Sequence, residues 1–421
     1  NALNQLSKVY YPFDETIPLN VVVYQYDIRV NLKLQENKLG IQDVFEYDNQ
    51  GRQISATRQK RGETDSTTTY AKYDPTGNVR FTIDGNSVVT ENTYDNMNRL
   101  KTTKTIVSGK EHITSYEYDA NGNIIVEKDW LNNAYKNIYD PLNRLIEKRD
   151  PYKKTIQKLE YNNNHAQVNS WDALGNLTQY EYDRNNRLVN TIDPEGNETS
   201  LTYDQLGNII TKKDGNKNIT RYSYNELNLL ENVVNAKGEP TIFTYDLNGN
   251  MLTQTDGKGN TSIYEYNSAN LVSKRIESGG RIGELGSYTY HPSKIESYTY
   301  NQDGTLKTKT DRNGIKTYYT YDCYGRLTKK IAGDIQISYT YDGNGNQLTV
   351  TDNTGTTTRT YDEFNRVLTK FVPNVGIVSY EYDIIGIEEG CVAEKSTDPK
   401  GNITTKIFDR AGRLSSVIDG T

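Results

Sequence analysis

An aromatic residue followed by Asp or Asn recurs along nearly the whole chain, and its spacing is close to constant. We call each of these aromatic residues an anchor. Ten of the seventeen intervals between anchors are 21 residues long, and five of these run consecutively from Tyr161 to Tyr266. A fixed period of this size is typical of repeat proteins, in which each unit packs on its neighbours. The anchors are Tyr26, Tyr47, Tyr73, Tyr94, Tyr118, Tyr139, Tyr161, Tyr182, Tyr203, Tyr224, Tyr245, Tyr266, Tyr300, Tyr321, Tyr341, Tyr361, Tyr382 and Phe408.

The residues after each anchor predict a turn. Asp or Asn follows every anchor, and its side chain can accept hydrogen bonds from backbone N–H groups two residues on. Gly or Asn stands four residues after sixteen of the eighteen anchors, which predicts a left-handed backbone position there. The exceptions are His165, a residue type also enriched at positive φ, and Val30, whose turn we expect to differ. The clearest predicted structural positions are Tyr118, Asp119, Gly122, Tyr139, Asp140, Asn143, Tyr182, Asp183, Asn186, Tyr203, Asp204, Gly207, Tyr245, Asp246, Gly249, Tyr321, Asp322, Gly325, Tyr361, Asp362 and Asn365.

The segments on either side of each turn predict β-strands. An aromatic residue stands two positions before eleven of the anchors, a spacing that puts both rings on one face of a strand. A second turn signal lies in the middle of many units, as in Asp193–Asn197 and Asp256–Asn260. Two turns per unit leave room for two strands of about five or six residues. The sequence therefore predicts an all-β fold, a long antiparallel meander of about 18 hairpins that curls into a spiral sheet or a hollow shell or barrel.

Composition limits how such a sheet can be stabilised. Hydrophobic residues make up 34% of the chain and the mean hydropathy is −0.82, which is too lean for a thick two-sided core. The 35 tyrosines supply large apolar area together with a hydroxyl group that tolerates water. We therefore expect a thin, strongly curled sheet that is held by cross-strand aromatic ladders and encloses or faces solvent.

The spacing also predicts how the chain is organised. We expect one repeat domain over residues 26–421, preceded by a weakly matching segment at residues 1–25. The interval from Tyr266 to Tyr300 is 34 residues long and holds an insertion at about 277–297, either a protruding loop or a partner-binding projection. The chain starts at Asn1 without a signal peptide and stops soon after the last turn, so we expect a segment of a longer protein.

Charge and hydropathy exclude some classes of partner. The net charge of −6 comes from 49 basic and 55 acidic residues that are interspersed, so we expect no nucleic acid partner. No apolar run approaches the roughly 20 residues of a membrane-spanning helix, so we expect no membrane span.

Residues suited to catalysis or metal binding are few. The three histidines, His112, His165 and His291, lie on different repeats, so we expect neither a catalytic triad nor a histidine metal site. Cys323 and Cys391 are either unpaired or joined in a disulfide. The segment Asp119–Asn123 resembles the start of a calcium loop, but Trp130 occupies the position of the required Glu; weak calcium binding by clustered Asp and Asn stays open. We expect no enzyme activity, no cofactor and no metal.

Arginine follows the left-handed position in seven units. These side chains can pair with nearby carboxylates or stack on tyrosine rings, and ligand binding by the row is an alternative. Faces rich in aromatic residues and Asn can also bind sugars, so carbohydrate recognition stays open. The seven residues are Arg52, Arg99, Arg144, Arg187, Arg326, Arg366 and Arg413.

The repeated pattern Tyr-Asp-x-x-Gly-Asn/Arg-Leu resembles the YD repeats of the Rhs family, most clearly over Tyr161–Asn267 and Tyr300–Asp383. That family includes the C components of bacterial ABC toxin complexes, Rhs and wall-associated toxins, and the teneurins. The resemblance implies a spiralling β-sheet that builds a hollow shell, which in bacterial members holds a variable C-terminal toxin. Asp398–Asn402 resembles the start of the family's core motif but has Asn in place of Leu, which puts self-cleavage in doubt.

Two functions follow from the resemblance. The first is a non-catalytic shell segment of a secreted bacterial toxin, whose partners are a C-terminal toxin cargo outside this chain or neighbouring shell segments. The second is a secreted or cell-surface interaction module for adhesion, filament formation or carbohydrate binding, with cell-surface glycans as partners.

Overall fold

The computed structural model describes residues 5–10, 21–37, 39–278, 281–282, 289–290 and 293–420. The predicted all-β antiparallel meander is confirmed, because 37 strands belong to one antiparallel sheet and β26 and β27 form a separate two-stranded ladder. Among the described residues β1 pairs with β2 and β39 pairs with β38, and no ladder joins the two ends, so the sheet is not closed. The described residues include no helix long and apolar enough to cross a membrane.

The described residues form two compact units. The first unit comprises residues 1–136, 300–307 and 317–421, and the second comprises residues 137–299 and 308–316. Strands β1–β11 and β31–β39 lie wholly in the first unit and β13–β27 lie wholly in the second, while β12, β28, β29 and β30 have residues in both. The division of the chain at residue 26 stays a prediction.

The strands of the first half are β1 (Lys8–Tyr10), β2 (Val21–Tyr26), β3 (Leu32–Glu36), β4 (Ile41–Tyr47), β5 (Gln53–Lys60), β6 (Ser66–Tyr73), β7 (Val79–Ile83), β8 (Val89–Tyr94), β9 (Leu100–Val107), β10 (Lys110–Tyr118), β11 (Ile124–Lys128), β12 (Ala134–Tyr139), β13 (Leu145–Arg149), β14 (Thr155–Tyr161), β15 (Gln167–Trp171), β16 (Leu177–Tyr182), β17 (Leu188–Ile192), β18 (Glu198–Tyr203), β19 (Ile209–Lys213) and β20 (Ile219–Tyr224). Those of the second half are β21 (Leu230–Val234), β22 (Pro240–Tyr245), β23 (Met251–Thr255), β24 (Thr261–Tyr266), β25 (Val272–Glu277), β26 (Arg281–Ile282), β27 (Thr289–Tyr290), β28 (Lys294–Tyr300), β29 (Leu306–Thr310), β30 (Lys316–Tyr321), β31 (Leu327–Ala332), β32 (Ile335–Tyr341), β33 (Gln347–Asp352), β34 (Gly355–Tyr361), β35 (Val367–Val372), β36 (Gly376–Ile384), β37 (Val392–Thr397), β38 (Ile403–Phe408) and β39 (Leu414–Gly420).

The hairpin of β16 and β17 illustrates the repeated turn. The Asn186 N–H donates to the Asp183 carbonyl oxygen at 3.0 Å, and the Asp183 N–H donates to the Arg187 carbonyl oxygen at 2.9 Å. The ladder register then shifts between Glu181 and Tyr182, so one residue on β17 is unpaired. This is a tight turn closed by a left-handed residue and a β-bulge, a common hairpin connection. The bulge places the anchor Tyr182 at the last ladder position before the turn, paired with Leu188.

The residue four positions after each anchor has a positive φ. The expectation that the turn at Val30 differs is wrong. Val30 has φ 77°, and its turn makes the same two backbone hydrogen bonds as the turn at Asn186. The residues with this conformation are Val30, Gly51, Gly77, Asn98, Gly122, Asn143, His165, Asn186, Gly207, Asn228, Gly249, Asn270, Gly304, Gly325, Gly345, Asn365, Gly386 and Gly412.

Val30 therefore carries backbone strain that its counterparts avoid, because a β-branched side chain is disfavoured at positive φ. Val30→Asn is expected to stabilise the protein by about 1 kcal/mol, since Val30 is 53% exposed and loses little burial. The matched reverse change, Asn186→Val at φ 61°, is expected to destabilise it by about 1–2 kcal/mol. Urea unfolding of both variants measures the two changes in the free energy of unfolding. Changes of the same sign would contradict the strain at Val30.

Few hydrophobic side chains are buried in the part of the chain that the structure describes. Those with the least exposure are Val22, Val107, Leu159, Ala166, Cys323, Cys391 and Ala393. Most anchor tyrosines are instead half-buried. Hydrogen bonds and ion pairs between strands and turns therefore supply much of the stabilisation that a thick hydrophobic core would otherwise supply.

Candidate functional site

The anchor aspartates cap their own turns. In the unit of Asp183, carboxylate oxygen Oδ1 accepts the backbone N–H of Asn185 at 2.9 Å and of Arg187 at 3.0 Å. Oxygen Oδ2 accepts Nε of Arg187 at 2.7 Å. The backbone and guanidinium hydrogen bonds from Arg187 hold the pKa of Asp183 below its usual value.

Arg187 then reaches the next unit. Its Nη1 donates to the Asp204 carbonyl oxygen at 3.1 Å, and its guanidinium carbon lies 4.6 Å from the centroid of the Tyr203 ring. The expectation that the arginine row pairs with carboxylates and stacks on tyrosines is confirmed here. The same stacking on the next anchor occurs at Arg52, Arg99, Arg144, Arg326 and Arg366.

The anchor hydroxyl supplies a second link between units, which the sequence did not reveal. The Tyr203 hydroxyl donates to the Leu188 carbonyl oxygen at 2.6 Å, reaching back to the unit before it. Arginine and this hydroxyl therefore link successive hairpins here, rather than the ladder of aromatic rings that the tyrosine count led us to expect. Hydroxyls that reach the residue six positions after the preceding anchor belong to Tyr47, Tyr73, Tyr94, Tyr118, Tyr161, Tyr182, Tyr203, Tyr224, Tyr245, Tyr266, Tyr341, Tyr361 and Tyr382.

Where Asn replaces Arg, the link changes its chemistry but not its position. Asn208 Nδ2 donates to Asp204 Oδ2 at 2.9 Å and to Asn228 Oδ1 at 2.5 Å, so neighbouring turns are joined amide to amide. Asn250 does the same with Asp246 and Asn270, at 2.8 and 3.0 Å.

The remaining predicted positions take equivalent places. Tyr139 and Tyr321 end strands β12 and β30. Asp119 accepts the backbone and side-chain N–H groups of Asn123, and Asp140, Asp322 and Asp362 pair with the arginine four residues on. The predicted residues thus lie at a repeated structural position, with one set in each unit, rather than around one centre.

Removing a single anchor hydroxyl tests its contribution. Tyr203→Phe keeps the ring and deletes only the hydrogen bond to Leu188, so we expect a loss of about 0.5–1.5 kcal/mol in the free energy of unfolding. Tyr70→Phe is the control, because the Tyr70 side chain is 47% exposed. Chemical denaturation of both variants measures the difference, and equal midpoints would count against the hydroxyl link.

The capped carboxylates also predict an acid transition. Partial burial acts to raise the pKa of Asp74, but hydrogen bonds from Thr76 and Asn78 outweigh it and lower the pKa to about 2. A lowered carboxyl pKa stabilises the fold above the unfolded value near 4, and this stabilisation is lost as pH falls from about 4 to about 2. Circular dichroism between pH 6 and 1.5 should show the signal falling in that window, and less steeply in Asp74→Asn. A circular dichroism signal that falls mainly above pH 5 would show that the hydrogen-bonded carboxylates do not cause the acid transition.

Within the first unit, turns and strands that are far apart in sequence meet along a line that we call the seam. It joins residues 58–135 to residues 324–411. Two turns of the same sequence, Asp-Gly-Asn, pair reciprocally there: Asn86 Nδ2 donates to Asp342 Oδ2 at 2.9 Å, and Asn344 Nδ2 donates to Asp84 Oδ2 at 2.7 Å.

Arg366 forms a buried ion cluster on one side of the seam. Its Nε donates to Asp362 Oδ2 at 2.7 Å, and its Nη1 and Nη2 donate to the two oxygens of Asp383 at 3.0 and 2.5 Å. The Asp362 side chain is 1% exposed and that of Asp383 is 14% exposed. Asp383 thereby departs from the predicted role of an anchor aspartate, because its carboxylate holds the arginine of the preceding unit.

The other candidate residues are accounted for as follows. Cys323 and Cys391 are both free and buried, so the disulfide alternative is wrong. His165 occupies a left-handed turn position at φ 66°. His291 lies outside the described residues, as do residues 279–280, 283–288 and 291–292 of the predicted insertion at 277–297. No group of His, Cys, Asp or Glu suited to hold a metal ion occurs in the part of the chain that the structure describes.

Comparisons with known proteins agree with this geometry. The family described as Teneurin YD-shell matches residues 57–226, 198–331 and 309–395. A comparison with curated protein sequences returns no match.

Two solved structures share the fold. The crystal structure of TcdB2-TccC3 without its hypervariable C-terminal region matches at 16% identity, over 95% of this chain and 26% of that chain, with a TM-score of 0.64. A Tc holotoxin pore from Photorhabdus luminescens matches at 16% identity over the same shares, with a TM-score of 0.55. The chain therefore spans 26% of the length of the solved chains that it matches.

Proposed function

Because the chain belongs to the teneurin YD-shell family, we propose that it is a non-catalytic structural segment of the shell of a secreted bacterial toxin. The observation that carries this proposal is the use of the repeated polar residues. The Asp, Arg and Tyr side chains of each unit bind the backbone or side chains of the same and the next unit. Side chains committed in this way support the proposal that the repeats build a wall.

The proposed cargo is a toxin that lies C-terminal to this segment in a longer protein. The similarity to TcdB2-TccC3, a protein with a hypervariable C-terminal region, supports this arrangement. A shell acts by sequestration, since it keeps an active segment away from proteases and from premature targets. The segment would therefore work through continuous strand pairing, and its partners would be the cargo and neighbouring shell segments.

Protease protection tests the proposal. In the longer protein, we expect the C-terminal segment to resist digestion while the shell is intact. We expect it to be cleaved at least tenfold faster when Arg366→Met removes the cation that holds Asp362 and Asp383 on one side of the seam. Arg413→Met is the matched control, because Arg413 makes the same pair with Asp409 at the surface, with 51% side-chain exposure. Rapid cleavage of that segment in the unmodified protein would contradict encapsulation.

A surface interaction module is the second candidate, and exposed tyrosine rings favour it. Tyr70 and Tyr318 are 47% and 49% exposed, and exposed rings are common in sugar-binding sites. Glycan-array binding by this segment, lost on tyrosine substitution within residues 279–300, would support adhesion. An array on which no glycan binds, together with protease protection of the C-terminal segment, would favour the shell function over adhesion.

A further inference from the structure

His112 lies buried where the two sides of the seam meet. It belongs to β10, and its side chain is 7% exposed. Its ring centroid lies 4.2 Å from that of Trp130 and 5.0 Å from that of Phe364, the latter in an edge-on arrangement. Phe364 comes from the turn after β34, so an imidazole on one side packs against an aromatic ring on the other. A neutral ring suits this environment, because aromatic packing needs no charge.

The charges around His112 leave little place for another positive charge. Its Nε2 lies 3.5 Å from Asp383 Oδ2 and has no hydrogen-bond partner within the described residues. Both oxygens of Asp383 are already occupied by Arg366, which also holds Asp362. Lys110, on the same strand as His112, donates from Nζ to the Asp383 carbonyl oxygen at 2.7 Å. The charged groups that face the ring are therefore Asp362, Arg366, Asp383 and Lys110.

We propose that His112 is an acid-sensitive latch on the seam: the neutral ring holds the two sides together, and protonation at acidic pH releases them. Protonation would bury a third positive charge beside Arg366 and Lys110, and Arg366 already occupies both oxygens of the nearest carboxylate, Asp383. The proton therefore favours a state in which the seam is open and the ring is hydrated. This proposal concerns the seam alone and does not depend on the function of the shell.

The sign of the pH dependence follows from linkage. Burial lowers the pKa of His112, the charge on Asp383 opposes this, and Arg366 and Lys110 add to it. The closed seam therefore binds the proton more weakly than the open seam, whose histidine has the ordinary pKa near 6.5. The stability contributed by the neutral ring is present above about pH 6.5 and is lost as pH falls below that value.

Two measurements on the whole chain test the latch. A proton NMR titration of the His112 ring should give a midpoint below the ordinary histidine value near 6.5. Hydrogen exchange of residues 105–112 and 362–366, corrected for the intrinsic pH dependence of exchange, should report an open fraction that rises about tenfold between pH 7.5 and pH 5.5. A His112 midpoint at or above 6.5, or an open fraction independent of pH, would overturn the proposal.

His112→Phe isolates the titrating group, because it keeps a ring between Trp130 and Phe364 and removes the proton site. We expect the rise in exchange between pH 7.5 and 5.5 to disappear in this variant and to persist in the control His165→Asn. A rise of the same size in His112→Phe would assign the effect to other groups and refute the latch. If His112→Phe does not fold, the wild-type titration midpoint decides between the two outcomes.

Discussion

Arg366→Met is expected to lower the free energy of unfolding by about 3–5 kcal/mol, because it leaves two carboxylates without their shared cation. Asp362 is almost fully buried and Asp383 is mostly buried, so water replaces the guanidinium poorly. The change also removes the cation that lies 4.4 Å from the Tyr382 ring centroid. Urea denaturation followed by circular dichroism measures the loss.

The matched control for this prediction is Arg413→Met. Arg413 stands at the same position in its unit, and it pairs with Asp409 at 2.8 Å, but its side chain is 51% exposed. An exposed pair contributes about 0–1 kcal/mol, so the control should change stability little. Equal losses in the two variants would show that burial at the seam does not set the strength of the pair.

Gly343→Ala is expected to have a similarly large effect, about 3–5 kcal/mol, through steric overlap together with the loss of two charge-assisted hydrogen bonds. A Cβ atom on Gly343 would lie 2.1 Å from the Gly85 carbonyl oxygen and 2.6 Å from the Gly85 carbonyl carbon. The overlap is with backbone, which cannot rotate away as a side chain can. The two Asp-Gly-Asn turns must therefore separate, which breaks the hydrogen bonds between Asn86 and Asp342 and between Asn344 and Asp84.

Gly109→Ala is the control for the seam glycine. Gly109 has φ +77° and open space around the position of an added Cβ atom, so alanine there meets only the conformational cost of about 1–2 kcal/mol. Differential scanning calorimetry of the two variants separates the steric cost from the conformational cost. A Gly343→Ala melting temperature at or above that of Gly109→Ala would contradict the close contact of the two turns.

The local part of the fold could be predicted from the sequence because the residues that determine each turn lie within five consecutive positions. Asp183 supplies the acceptor, Asn186 supplies the left-handed backbone, and Arg187 supplies the cation. Because these residues recur in every unit, the prediction made for one turn applies to the turns of the other units. The error at Val30 came from treating residue preference as decisive, whereas the hydrogen bonds on either side fix the turn despite the strain.

The seam could not be predicted because its partners are 255–277 residues apart and no periodic signal connects them. One clue was present: the tripeptide Asp84–Asn86 is repeated at Asp342–Asn344. Nothing in the sequence indicates that these two copies meet, and a third copy at Asp214–Asn216 lies in the second unit. The tyrosine hydroxyl links were missed for a different reason, because an anchor ring predicts packing but not where its hydroxyl points.

A cryo-electron microscopy map of the longer protein that we propose tests the central claim most directly. We expect residues 26–420 to form part of a wall, with each arginine turn bound to the next anchor, and density for the C-terminal segment to lie inside that wall. A map in which the C-terminal segment lies outside, with the repeat segment not surrounding it, would contradict the account.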